Sequence, residues 1–318
     1  MKYRLIVLLV FGIIFFSCKK DDDEIITVPP SLLGDVAPED DEKIKEFLNT
    51  HFYNYEDFDV VTMPEGFDYK IVIDTIAGEN ADKTPMMEFA EAITLNVSNT
   101  HLGLSAEEEN IPHTYYFIDV LSGAGGSPTY ADSTLVRYQG SSLDGTLFDE
   151  SQDFLWQELP STYRGYGDGI SRMNAGTEQN IVDNPDGSYE ITDRGIAIIV
   201  MPSGLAAFNR PVGAAGTYAP VLFKVELGLF VENTDSDNDG IPSIQEDLNN
   251  NRFLLDDNTD ADTEPRTVPA TPNFRDADDD GDGVSTRSEI TDENGNIIFP
   301  YPDSNGDGIP DYLDPDVF

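Results

Sequence analysis

Apolar side chains recur at helical spacing near the start of the chain and at strand-like spacing in its middle. Between residues 38 and 54 they fall at i, i+3, i+4, i+7 and i+8, which places them on one face of a helix. Pro38 and several acidic residues stand at the start of this stretch, where both are favourable. The pattern therefore predicts one short amphipathic helix, whose apolar face consists of Ile44, Phe47, Leu48, His51 and Phe52.

The middle of the chain is rich in aromatic and β-branched residues, which favour strands. Strands are predicted at residues 115–121, 133–138, 195–201 and 220–230, and one or two helical turns at residues 166–174. Many strands with one short helix predict an α+β fold, in which an antiparallel sheet wraps around that helix.

Two further stretches are less regular. The turn Asn184-Pro185-Asp186-Gly187 lies between two short β-prone runs and predicts a β-hairpin. Residues 38–114 are predicted to form an N-terminal extension. Within it, residues 55–114 mix short β-prone runs such as 69–73 with polar loops, and no function is assigned to them.

The first residues have the layout of a signal peptide. Lys2 and Arg4 precede an apolar run at residues 5–16, which is too short to span a bilayer, and a small residue and Cys18 follow it. Cys18 resembles the lipid-acceptor cysteine of a bacterial lipoprotein, which implies a signal peptide at residues 1–17 and a lipid anchor. The alternative is an ordinary secretory signal with an incidental cysteine.

Residues 18–37 contain a charged run and prolines but no periodic pattern, and we predict an acidic flexible tether there. The charged run at residues 19–24 resembles the surface-export signal of Bacteroidetes lipoproteins, and a plain solvated tether is the alternative. Because Cys18 is the single cysteine, no disulfide can form within the chain. An exported fold would then be held by packing or by metal.

The composition is strongly acidic. The chain has 318 residues, of which 39% are apolar, and 61 acidic against 18 basic residues give a net charge of −43. Such a field repels nucleic-acid phosphates, so nucleic-acid partners are not expected. The three histidines lack zinc-type spacing and the G-x-S-x-G motif is absent, so a hydrolase has no residue support. The acidity reflects either a solvated surface or carboxylates gathered to bind hard cations.

Clustering after Glu232 favours cation binding. Three segments within residues 233–318 repeat one pattern, with oxygen ligands at positions 1, 3, 5 and 12, glycine at 6 and an apolar residue at 7 whose carbonyl can also bind. This spacing suits Ca²⁺, which takes six to eight oxygens. The predicted ligands are Asp235, Asp237, Asp239, Ile241 and Glu246 in the first loop, Asp278, Asp280, Asp282, Val284 and Glu289 in the second, and Asp303, Asn305, Asp307, Ile309 and Asp314 in the third.

The exits of these loops differ from those of a regular EF-hand, because Pro242 and Pro310 follow the apolar residue. Residues 233–318 look more like thrombospondin type 3 or related acidic repeats of exported bacterial proteins, which use Ca²⁺ to order a chain without a large core. We therefore expect structural rather than signalling calcium, with the apolar residue of each loop packed inward. The alternative, a solvated acidic tail, would have scattered carboxylates.

Several motifs cluster in the middle of the chain. Residues 137–149 read R-Y-Q-G-S-S-L-D-G-T-L-F-D, and residues 164–169 read R-G-Y-G-D-G. A G-x-G-x-x-P-x-x-x-D pattern begins at Gly123, and the run V-L-F-K-V-E-L begins at Val221. Together these motifs resemble an FKBP-type peptidyl-prolyl cis/trans isomerase domain at residues 115–231.

The resemblance implies isomerisation of X-Pro bonds in an aromatic pocket, without a cofactor for catalysis. Rotation about an X-Pro bond is slow because it breaks amide resonance, with a barrier of about 18–20 kcal/mol. A dry pocket can favour the twisted amide, so neither a nucleophile nor a base is needed. The implied pocket residues are Tyr138, Phe148, Asp149, Trp156, Tyr163, Tyr166 and Phe223, with Phe154 beside them.

Two positions depart from the family pattern. The pocket floor usually carries Trp, where this chain has Tyr166. A Tyr hydroxyl usually donates to the substrate carbonyl from the loop before the last strand, where this chain has Ala206, and Tyr218 is a candidate substitute. The departures imply reduced activity or binding alone.

The sequence thus predicts an outer-membrane lipoprotein that faces the periplasm or the cell exterior. Its expected partners are proline-containing exported polypeptides and, through Cys18, the membrane. Two alternatives stay open: a non-catalytic chaperone that binds proline-containing peptides, and a calcium-dependent surface scaffold or adhesion protein.

Overall fold

The computed structural model describes residues 30–318, except 60, 62, 64–66, 106 and 264–269. The predicted signal peptide, Cys18 and the charged run at 19–24 lie outside the described residues. The predicted tether at residues 18–37 is wrong at its end, because a helix begins at Leu33. None of the helices in the described part of the chain has the length and apolar content suited to crossing a lipid bilayer.

The described residues form three helices and ten strands. The helices are α1 (Leu33–Thr50), α2 (Arg164–Ile170) and α3 (Thr286–Glu289). The strands are β1 (His51–Tyr53), β2 (Ile73–Thr75), β3 (Glu91–Val97), β4 (Ile111–Leu121), β5 (Ser133–Ser142), β6 (Leu147–Glu158), β7 (Ile181–Asp183), β8 (Tyr189–Ile191), β9 (Gly195–Met201) and β10 (Val221–Val231).

Six of the strands form one antiparallel sheet in the order β3-β4-β9-β10-β5-β6. Two small antiparallel pairs, β1 with β2 and β7 with β8, accompany it. The pair β7–β8 is the predicted hairpin. A large antiparallel sheet with few helices agrees with the expected α+β class.

Strand β9 lies in the interior of the sheet, and its sequence explains why. All seven residues of this strand are buried, with Ala197, Ile199 and Met201 in one apolar cluster and Ile196, Ile198 and Val200 in another. Because side chains alternate between the two faces of a strand, a continuous apolar run requires cover on both faces. Helix α2 belongs to the first cluster, and the Ile44–Phe47–Leu48 face of α1 belongs to the second.

The N-terminal extension is part of this architecture. Its strand β3 pairs with β4 as an edge of the main sheet. Helix α1 starts before the predicted Pro38 because the carboxylate of Glu108 accepts hydrogen bonds from the N–H groups of Leu33 and Gly34, at 2.7 and 2.9 Å. These bonds satisfy donors that a helix N-terminus otherwise leaves free. The helix ends at Thr50 because the next residues pair with β2.

Residues 233–318 contain little regular structure and pack through small apolar clusters. Ile241, Ile290 and Tyr312 form one of them. Ala131, Leu254 and Phe274 form another, which joins this segment to the loop before β5. Short clusters of this kind bury little area, so polar contacts and bound ions carry more weight in ordering such a segment.

Candidate functional site

An open groove of about 630 Å³ lies between α2, the strands β5, β6 and β10, and the loop at residues 210–213. Its aromatic lining comes from four separate elements, and Asp149 stands at its edge. The groove brings together six of the seven predicted pocket residues: Tyr138, Phe148, Asp149, Tyr163, Tyr166 and Phe223.

The rings pack around Phe223, which is buried at the centre of the lining. Its ring centroid lies 4.8 Å from that of Tyr166 and 5.7 Å from that of Phe148, at interplanar angles of 62° and 82°. Edge-to-face contacts of this kind are favourable for aromatic pairs. Gly140 permits them, because a Cβ at that position would lie 2.7 Å from the Phe223 ring and 2.8 Å from the Phe148 ring.

The tyrosine hydroxyls of the groove have partners within the protein. The Tyr138 hydroxyl donates to Asp149 Oδ2 at 2.9 Å, and the Tyr166 hydroxyl donates to Gln157 Oε1 at 3.0 Å. Burial, followed by the Asp149 carboxylate, raises the pKa of Tyr138 to about 12. Burial also raises the pKa of Tyr166 well above its ordinary value. Both hydroxyls are therefore protonated donors at neutral pH.

The predicted pocket role of Trp156 is wrong. Its side chain is 53% exposed and does not line the groove, whereas the next residue, Gln157, does. Because successive strand residues face opposite sides, a one-residue difference in alignment exchanges the two. Phe154 is likewise elsewhere: its ring stacks on Tyr189 at 6.0 Å and lies under the Arg137 guanidinium at 4.9 Å.

The loop between β9 and β10 supplies a different donor from the one considered in the sequence. Ala206 is buried and has no side-chain donor. Tyr218 does not line the groove, because its hydroxyl accepts a hydrogen bond from Ser31 N at 3.0 Å and its ring packs edge-on against Phe208. Arg210 lies on the same loop, is exposed and lines the groove. No sequence motif singled it out.

Helix α2 is held by the C-terminal segment as well as by the sheet. The buried carboxylate of Asp168 accepts hydrogen bonds from the Tyr115 hydroxyl and from Arg252 Nε. Arg164 at the start of α2 donates to the carbonyl of Asn251 at 2.7 Å. Leu255 from the same segment lines the groove. Residues 251–255 therefore belong to the frame of the groove, although the sequence assigned them to a separate domain.

The three acidic loops share one hydrogen-bonding scheme. In each loop the backbone N–H of position 6 donates to the side-chain oxygen of position 1. The backbone N–H of position 5 donates to the side-chain oxygen of position 3, and the backbone N–H of position 7 donates to the side-chain oxygen of position 5. These bonds span 2.6–3.2 Å. In the first two loops, one oxygen of each of these aspartates thereby shapes the loop, and the other accepts no hydrogen bond.

The first two loops leave buried oxygens without a hydrogen-bond partner. These atoms are Oδ1 of Asp235, Oδ2 of Asp237, Oδ2 of Asp239 and both carboxylate oxygens of Glu246 in the first loop, and Oδ1 of Asp278, Oδ2 of Asp280, Oδ2 of Asp282 and both of Glu289 in the second. The three aspartates of each loop have ligand atoms within 4.8 Å of one another. Together with the carbonyl of position 7, each set offers six oxygens, a number that fits Ca²⁺.

Burial and mutual repulsion raise the pKa values of Asp237, Asp239, Glu246, Asp280 and Glu289. The pKa of Glu246 rises to about 10 and that of Glu289 to about 8, from burial first and from neighbouring aspartates second. Clustered buried carboxylates of this kind are costly unless a cation compensates them.

The third loop departs from this arrangement. Among the described residues, no three of its carboxylates have ligand atoms within 4.8 Å of one another. The side chain of Asn305 instead donates to Asp314 Oδ2 at 2.7 Å. The expected inward packing of the apolar residue holds for Ile241, which is buried, and is wrong for Ile309, which is 45% exposed.

Comparisons with known proteins found two kinds of similarity. Residues 236–302 match the family described as the BamM C-terminal. Among solved structures, the chain is similar to a peptidyl-prolyl cis-trans isomerase from Pseudomonas syringae pv. tomato, with 23% identity, a TM-score of 0.30, and coverage of 37% of this chain and 76% of that one.

Two further solved structures are similar. FkpA from Escherichia coli matches at 18% identity and a TM-score of 0.34, over 62% of this chain and 61% of that one. The N-terminal domain of FKBP42 from Arabidopsis thaliana matches at 15% identity and a TM-score of 0.30, over 41% of this chain and 95% of that one.

Proposed function

We propose that the protein is a peptidyl-prolyl cis/trans isomerase that acts on X-Pro bonds of exported polypeptides. The observation that carries this proposal is the aromatic groove, in which Tyr138, Phe148, Tyr163, Tyr166 and Phe223 converge from separate elements of the fold. A proline ring in such a groove replaces water against aromatic faces. The groove is open to solvent, so a peptide segment can enter without unfolding the protein.

The chemistry needs no ionised catalyst. In the twisted state the amide loses resonance and its carbonyl oxygen carries less negative charge, so an environment poor in water favours that state over the planar amide. We assign the exposed Arg210 guanidinium, in place of the missing Tyr at Ala206, as the donor to a backbone carbonyl of the bound peptide beside the X-Pro amide, where it positions the peptide without polarising the X-Pro carbonyl. Its exposure leaves it free to adjust to a bound peptide.

A protease-coupled isomerisation assay on residues 31–318, one compact unit, tests this proposal. Catalysis is expected in the wild type and is expected to fall strongly when Phe148→Ala and Asp149→Ala are combined. Trp156→Ala is the matched control, because Trp156 belongs to the same strand but lies outside the groove. No catalysis by the folded wild type, or an equal loss in the control, would contradict the proposal.

A second candidate is a chaperone that binds proline-containing peptides without isomerising them. Ala206, which cannot donate to a substrate carbonyl, favours it. Saturable binding of a proline-containing peptide with no acceleration of isomerisation would support this alternative.

We also propose that the first two acidic loops bind Ca²⁺ and that the bound ions stabilise residues 233–318. The unpartnered buried oxygens of both loops support this proposal, since hard cations take oxygen ligands in sets of six to eight. Equilibrium dialysis of residues 31–318 against calcium is expected to yield two ions per chain. Binding of none would refute the proposal.

For localisation we propose an exported lipoprotein anchored at Cys18, with its groove facing the periplasm or the cell exterior. The basis is the sequence of residues 1–24 alone. Metabolic labelling with a fatty acid, compared between the wild type and Cys18→Ser, is expected to mark only the wild type.

A further inference from the structure

The residue at position 2 has the same structural role in all three acidic loops. In each loop it is hydrogen-bonded to position 9, which closes the loop across its base. The pairs are Ser236 with Ser243, Asp279 with Thr286, and Ser304 with Asp311, at 2.6–3.3 Å. A serine at position 2 makes this hydrogen bond in the first and third loops. The second loop alone carries a carboxylate there.

The carboxylate of Asp279 uses only one of its oxygens for this closure. Asp279 Oδ2 accepts from Thr286 at 2.9 Å, whereas Oδ1 is buried and has no hydrogen-bond partner. The side chain faces the first loop rather than the second: ligand atoms of Asp279, Asp239 and Glu246 lie within 4.8 Å of one another. All three residues are nearly inaccessible to solvent.

We propose that Asp279 is an additional ligand of the cation bound by the first loop. Asp235, Asp237, Asp239, Ile241 and Glu246 offer that cation six oxygens, and Asp279 Oδ1 supplies a seventh, which is within the range that Ca²⁺ takes. This inference rests on the calcium binding proposed above.

Further contact between the first and second loops supports the assignment. A Cβ at Gly240 of the first loop would lie 2.9 Å from Arg287 Nη1, in helix α3, which forms positions 9–12 of the second loop. The guanidinium offsets part of the negative charge that five carboxylates place around one dication. Ile241 and Ile290 also pack in one apolar cluster beside this site.

This arrangement couples the two loops. Asp278 and Asp280 belong to the second cation site, and Asp279 between them belongs to the first. A cation in either site therefore orders the backbone that presents a ligand to the other. Such a shared segment produces positive cooperativity between the sites.

Calorimetric titration of calcium into residues 31–318 tests the inference with Asp279→Ser, which installs the residue found at this position in the other two loops. The expected result is a first-site affinity weaker by about tenfold to a hundredfold, with loss of cooperativity. Asp262→Ser is the matched control, because it removes the same charge from an exposed position and is expected to change neither. Asp279→Asn, which is isosteric, is expected to weaken the first site as well.

The outcomes separate the two proposals. Calcium binding by the wild type with unchanged affinity and cooperativity in Asp279→Ser and Asp279→Asn would overturn the role of Asp279 alone. No calcium binding by the folded wild type would overturn the calcium proposal and this inference with it. If Asp279→Ser differs from the wild type in far-ultraviolet circular dichroism, the Asp279→Asn titration decides.

Discussion

Replacing Arg252 with alanine is expected to destabilise the domain that contains the groove, although Arg252 belongs to the acidic C-terminal segment. Its Nε donates to the buried carboxylate of Asp168, and its Nη2 donates to Ser171 Oγ at 3.2 Å. Its guanidinium also lies over the Tyr130 ring, at 4.3 Å from the centroid. The variant removes all three contacts from α2 and its surroundings.

The magnitude follows from the burial of the two partners. Removing one partner of a fully buried ion pair costs about 3–5 kcal/mol. Here the Arg252 side chain is 37% exposed, and Asp168 keeps the Tyr115 hydroxyl and Arg172 Nε at 3.7 Å, so we expect about 2 kcal/mol. For residues 31–318, whose unfolding entropy is about 0.6 kcal/mol/K, that corresponds to a fall of about 3 °C in Tm.

Arg275→Ala is the matched control. Arg275 also links the C-terminal segment to the sheet domain, through Glu158 and Ser161, but its side chain is 41% exposed and that of Glu158 is 31% exposed. Exposed ion pairs contribute about 0–1 kcal/mol. Urea unfolding in saturating calcium, followed by circular dichroism, measures both variants. Equal losses of stability in Arg252→Ala and Arg275→Ala would refute the reasoning.

Three further predictions concern the groove, the metal and pH. Tyr138→Phe removes the donor to Asp149, so we expect kcat/KM for a proline peptide to fall by about tenfold with the fold intact. An unchanged kcat/KM would show that this hydrogen bond does not contribute to catalysis. Chelation of calcium is expected to open protease sites in residues 233–318 while β9 and β10 stay protected, and an unchanged digestion pattern would count against structural calcium. Burial lowers the pKa of His113 in the folded state below its unfolded value of about 6.5. The contribution of neutral His113 to the free energy of unfolding is therefore present above about pH 6.5 and is lost as pH falls through the folded-state pKa. Between about pH 8 and pH 5, the wild type should lose more stability than His113→Asn, and an equal loss in the two proteins would contradict this.

The parts of the fold that sequence predicts well are those with strong local patterns. The continuous apolar run of β9 and the Pro-Asp-Gly turn between β7 and β8 determine their own conformation to a large extent. Strand β6 lacked such a signal. It is an edge strand, and most of its side chains are polar or partly exposed. Because this strand has no apolar face, the spacing of its apolar residues does not distinguish it from a loop.

The residues of the candidate site likewise differ in how well the local sequence predicts their position. Tyr138, Phe148 and Phe223 were predicted because motif spacing places them, whereas the exchange of Trp156 for Gln157 depends on alignment within an irregular strand. Contacts such as that of Arg252 with Asp168 join residues 84 positions apart. No local pattern encodes such a pair, because it depends on how the C-terminal segment packs against α2.

The most direct test of the central claim is the exchange rate between cis and trans forms of a short X-Pro peptide, measured by NMR exchange spectroscopy with residues 31–318 present. We expect exchange far faster than the uncatalysed interconversion of tens to hundreds of seconds, and a return toward the uncatalysed rate in the combined Phe148→Ala, Asp149→Ala variant. An uncatalysed exchange rate in the presence of folded wild-type protein at saturating peptide would contradict the account.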